Sequence, residues 1–152
     1  MLDSSAAALA CMQPKSSLKQ LTQVFRKMEN TSDLHEFAEL DVKFHEAIIV
    51  ASGNRLFHLI FQALTGPIQE LIESRLRSSQ EESREITLRQ HGVIVDAIQS
   101  GDAYLAATMV REHLQHFYTG MLSRKEQTSL QSFVQAMETG SGAASGAARP
   151  SC

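Results

Sequence analysis

Four side chains in this 152-residue sequence combine donor types that suit a metal ion: Asp41, His45, His91 and His113. Asp41 lies in the segment Leu34 to Ala51, where Leu34, Phe37, Phe44 and Ile48 recur at helical spacing. That pattern turns one face toward a core. Asp41 falls between Phe37 and Phe44 on this seam, and His45 follows at i+4, one turn further along the same face. An ionised carboxylate on a buried seam is costly unless something pairs with it. The rest of the chain should therefore supply a partner, and a metal ion held by two further histidines is the partner expected.

Those histidines flank a turn. His91 lies about ten residues before Gly101-Asp102 and His113 about eleven after it. Two antiparallel helices joined there bring the imidazoles to the same height, both on apolar faces. Three imidazoles and one carboxylate suit zinc, nickel, iron, manganese or copper better than calcium or magnesium, with zinc the first choice. An octahedral ion would keep two positions for water or a ligand. Taken singly, each histidine is more readily a hydrogen-bonded core residue, and Asp41 alone could pair with a buried Arg or Lys. The level-matched pair and the Asp-x3-His turn are jointly harder to explain as packing. His35, His58 and His116 are assigned to the surface or to supporting roles, and Glu112 should point sideways.

The elements that must position these groups are helices throughout. The chain length suits one domain with a real core. Charged residues make up 20% and the net charge is −3, with no basic tract, so nothing marks the chain itself as a nucleic-acid binder. No apolar run approaches the roughly 20 residues that span a bilayer, and the N-terminus does not read as a signal peptide. Cys11 and Cys152 stand far apart and form no disulfide framework, so a reducing cytoplasm is expected.

Residues 1–13 read as the end of a first helix, through Ala6 to Ala10. Pro14 fits the first turn of a second, carrying Leu18, Leu21, Val24, Phe25 and Met28, and ending near Asn30. Thr31 or Ser32 is expected to cap the central helix, which runs to about Ser52. Gly53 should end it and Asn54 should cap the next, over 55–77. That helix is rich in Leu, Ile and Phe and is expected to be the most buried, with a kink at Gly66-Pro67. Residues 78–83 read as a polar connection. Helices over about 84–99 and 103–124 follow, with a short extension near 127–137. From 139 the Gly/Ala/Ser-rich tail should be disordered. The expectation is an all-α antiparallel bundle of about six helices, its functional domain spanning 14–138.

In order along the chain, Asp41-x3-His45, Ala51-Ser-Gly-Asn54, His91 with Ile94 and Ala97-Ile98, Gly101-Asp102, Met109 and His113-Leu114 form a set. The set resembles the FCD domain, the C-terminal effector-binding domain of FadR-type GntR transcription regulators. The resemblance covers about residues 6–125. It implies an all-helical domain that forms homodimers and senses a small organic acid, and that in many members binds a metal through the positions matching Asp41, His45, His91 and His113. Departures matter as well. The family's winged helix-turn-helix is not in this sequence, so operator DNA should be reached only through such a domain. The first helix reads as shortened, without the arginine that members often carry early in it. Within this reading Asn54, Gln69 and Arg75 are the candidates to complete an acid pocket. Two rivals compete with it. One is a hydrolytic metal centre built on the same three histidines and one aspartate, weakened because no general base stands beside the ligands in sequence. The other is a metal-free helical interaction module.

Overall fold

The computed structural model describes the backbone of residues 2–78 and 80–121 and the side chains of 2–77 and 84–119. Six α-helices follow in order: α1 (Leu2–Ala10), α2 (Lys19–Asn30), α3 (Leu34–Ala51), α4 (Arg55–Ser78), α5 (Gln80–Ser100) and α6 (Ala103–Met121). The protein is an all-α helical bundle, and no strand occurs among the described residues. Residues 1–115 form one compact unit. A second unit begins at His116, and its described part continues α6, with the rings of Phe117 and Tyr118 edge-on at 5.5 Å. The expected extension near 127–137 and the tail lie outside the described residues.

In the first unit α3 is the hub, packed against α1, α2 and α4. Its apolar residues recur closely enough that nearly its whole circumference is covered. Phe37, Phe44, Ile48 and Ile49 are sealed from solvent, and each such burial contributes about 1.5–3 kcal/mol. Asp33 caps this helix, accepting a 2.7 Å hydrogen bond from the backbone N–H of Glu36. The cap expected at Thr31 or Ser32 is thus corrected. Thr31 instead bonds the Glu36 carboxylate, and its carbonyl accepts from Arg84 on α5 at 2.7 Å. Because Arg84 also lies over the ring of Phe37 at 5.4 Å, it ties the start of α5 to the start of α3.

Pro14 does not open an α-helix. It precedes a 3-10 turn at Lys15–Leu18, and α2 starts after it. At the far end of α3, Gly53 takes φ +71°, a left-handed conformation in which a side chain would be strained. Asn54 then caps α4 through Oδ1, accepting from Leu56 and Phe57. The helix runs through Pro67 without interruption.

Helix α4 is not the most buried. Phe61, Ile72 and Leu76 are buried, whereas Leu56 and Leu59 are each 63% exposed and Ile60, Leu64 and Leu71 are exposed as well. With apolar residues on several sides, only part of the circumference can face α3 and α5. The polar connection read over 78–83 is also corrected, since α5 is already helical from Gln80. Gly101, at φ +80°, turns the chain between α5 and α6. Asp102 caps α6 by accepting from the N–H of Leu105 at 2.9 Å. Ala106 and Val110 of α6 are fully buried, as are Ile94 and Ile98 of α5, while Leu105 is exposed.

Candidate metal centre

Helices α3, α5 and α6 converge on one buried cluster. Asp41 and His45 project from adjacent turns of α3, His91 from α5 and His113 from α6. All four are buried, and His91 has no solvent exposure at all. One ligand atom from each lies within 4.8 Å of the others. The Nε2 atoms of His91 and His113 are 3.2 Å apart, and His91 Nε2 is 3.3 Å from Asp41 Oδ1. Donor atoms around a single zinc ion stand roughly 3–4 Å from one another, given bonds of about 2.0–2.2 Å. The cluster is close to that spacing.

Electrostatics make the cluster expensive without a cation. Burial pushes the Asp41 carboxyl up to about 6, although His45 and Arg75 pull the other way. Burial, reinforced by His113 and His45, holds His91 well below the usual imidazole range and therefore neutral. The Asp41–His91 approach is accordingly not a salt bridge between two formed charges. Asp41 Oδ1, His45 Nδ1 and His91 Nδ1 are buried and make no hydrogen bond. Lone pairs left without donors in a dry interior are a cost that a bound divalent cation would remove at Asp41. The donor set, its burial and these orphaned atoms fit a transition-metal site.

The rings are held by different means. Phe44 stacks on His91, with centroids 3.8 Å apart and planes at 8°. His45 stands edge-on to Phe44 and to His91. Its Nδ1 faces the carboxylate of Asp3, on α1, at 3.7 Å. His113 Nδ1 meets the amide oxygen of Gln90 at 2.8 Å. Neither Asp3 nor Gln90 stands out in the sequence, although Gln90 is within reach of the same reasoning. It lies as far before Gly101 as His113 lies after Asp102, so the two are at one level of the hairpin. Nothing in the sequence points α1 at His45.

The remaining candidates are more dispersed. Arg75, on α4, is close enough to Asp41 for each charge to be felt by the other, and burial lowers its own pKa. Gln69 donates to Glu73 at 3.2 Å, and Asn54 is engaged in the α4 cap. His35 pairs with Glu73 and Glu39, and His58 with Glu46, all at or near the surface. His116 and Glu112 are exposed.

The described residues thus form an all-helical bundle with one aspartate and three histidines gathered in a buried cluster. The FCD domain family model matches residues 1–116, and the chain belongs to that family. This membership makes it an effector-binding domain of the kind carried by GntR-type transcription regulators. A comparison with curated proteins gives no match. No helix among the described residues is long and apolar enough to cross a membrane.

Proposed function

We propose that this chain is the effector-sensing and dimerisation domain of a bacterial, cytoplasmic GntR-family regulator of the FadR subfamily. In it Asp41, His45, His91 and His113 hold a divalent transition metal, zinc first, with nickel, manganese or iron as alternatives. The observation that carries this reading is the convergence of those four buried side chains in a chain of the FCD family. When bound, the ion supplies concentrated positive charge and open coordination positions for a carboxylate. The effector class is therefore a small organic acid.

Arg75 is the protein group best suited to orient such an acid. It already shares the field of Asp41, and a guanidinium forms strong, directional bonds with carboxylate oxygens. Gln69 and Asn54 would join the pocket only by leaving their present bonds to Glu73 and to the α4 cap. Operator DNA would be contacted by a separate winged helix-turn-helix, since this domain carries net negative charge and no basic tract. Family membership argues for sensing rather than turnover.

Calorimetric titration of lactate, citrate, gluconate and short dicarboxylates into metal-loaded and metal-stripped protein tests the reading. At least one acid should bind the loaded form and none the stripped form, because an arginine competing with water contributes little alone. Arg75→Ala should weaken binding by roughly 1.5–3 kcal/mol, the scale of a hydrogen bond to a charged group. Equal affinity in both forms would place the acid away from the metal.

A further inference from the structure

We infer that Gln90 is a positioning residue of the metal centre: its amide oxygen accepts the Nδ1–H of His113 and so fixes the tautomer whose bare Nε2 faces the cluster. The inference rests on the metal reading above. A neutral imidazole carries its proton on one nitrogen, and only the other can donate a lone pair to a metal. Which one is free is decided by the hydrogen bond made at its opposite edge. For His113 that edge is Nδ1, 2.8 Å from Gln90 Oε1. The opposite nitrogen, Nε2, is the atom that stands 3.2 Å from His91 Nε2 inside the buried group.

The arrangement follows from the α5–α6 hairpin. Gln90 precedes His91 by one residue, so its side chain leaves α5 about 100° around the helix from the His91 ring. His91 enters the core, and Gln90, half-buried, reaches across to α6. One turn of α5 thus supplies a ligand and also aims a ligand belonging to the neighbouring helix. The other two imidazoles have no comparable bond: Nδ1 of His45 and Nδ1 of His91 are both buried without a hydrogen-bond partner. The His91 ring is held by its stack on Phe44 instead. His113 is therefore the imidazole whose lone pair is pre-aimed by a side-chain acceptor.

The test uses zinc alone, titrated into the metal-stripped full chain in competition with a chromophoric chelator. Gln90→Leu keeps the bulk and removes the acceptor. It should weaken zinc binding about 10–100-fold, the usual effect of losing such a supporting partner, while the melting temperature of the metal-free protein stays as in the wild type. Gln90→Glu, whose ionised carboxylate accepts and cannot donate, should bind zinc at least as tightly as the wild type. Nitrogen NMR of the metal-free protein reads the tautomer directly. His113 should carry its proton on Nδ1 in the wild type and in Gln90→Glu, and shift toward Nε2 in Gln90→Leu. Should leucine disturb the packing and lower the metal-free melting temperature, Gln90→Ala takes its place with the same expectation. Wild-type affinity in both the Leu and Ala variants, or an unchanged His113 tautomer, overturns the role of Gln90 alone. Failure of the wild type to take up zinc overturns the metal reading and this inference with it.

Discussion

Burial holds the Asp41 carboxyl away from its ordinary ionised state. In the metal-free fold its carboxyl keeps its proton up to about pH 6, against 3.8 for the free group. The unfolded chain therefore releases that proton first as pH rises. Between those values the folded state binds more protons, so its stability falls with rising pH, and the full cost is present above about 6. The two-unit gap corresponds to a cost on the order of 3 kcal/mol. Asp41→Asn should remove most of it. Denaturant unfolding of metal-free protein at pH 8 should show the variant more stable than the wild type, and the difference should vanish near pH 4. The same variant should lose metal. A variant less stable than the wild type at pH 8 would mean that Asp41 is satisfied without a cation. His113→Ala and His116→Ala separate the faces of α6, since the first is buried in the cluster and the second exposed. Elemental analysis should find metal lost from the first variant and retained in the second. Both positions were legible in the sequence because helical phase and distance from a glycine turn are simple periodic quantities. The supporting contacts at Asp3 and Gln90 were harder to see, because they depend on how neighbouring helices rotate about their axes.

At the scale of elements, α3 behaves as its sequence suggests, and its boundaries, Leu34 and Ala51, coincide with the amphipathic segment. Its cap was less legible. Thr31, Ser32 and Asp33 are all capable residues in succession, and only the entry angle of the chain decides among them. Asp33→Ala should cost about 1 kcal/mol in chemical denaturation and leave zinc affinity unchanged, since the cap is two turns from Asp41. Ser32→Ala should cost much less, and an equal cost in the two variants would reassign the cap. Helix α4 shows where pattern reading fails. Leu56, Phe57, Leu59, Ile60 and Phe61 are crowded around its first turns, so no stripe stands out as the inward one. The fold buries Phe61 and leaves Leu56, Leu59 and Ile60 in solvent. What composition could not supply was the position of the neighbours that decide the matter.

For the molecule as a whole, a metal bound only by the folded state acts as a folding ligand. It should stabilise the protein by roughly 4 kcal/mol when free metal is about a thousandfold above its dissociation constant. Chelation should then lower the melting temperature by several degrees, and adding zinc back should restore it. The proposed homodimer makes a separate demand. Apolar surface such as that of Leu56, Ile60 and Leu64 on α4 is the kind that two-fold contacts cover. Light scattering should report a dimer, and a monomer at every accessible concentration would contradict that part of the proposal. The all-α class and the ordered Asp/His set were both legible in the sequence, because each depends on spacing along single helices or across one tight hairpin. Zinc titration of metal-stripped protein, followed by calorimetry, asks whether the four buried side chains hold a transition metal. Uptake of one equivalent per chain is the expected result, lost in His91→Ala and Asp41→Asn. Saturating zinc that produces no heat in the wild type, or the same heat in all three proteins, would contradict it.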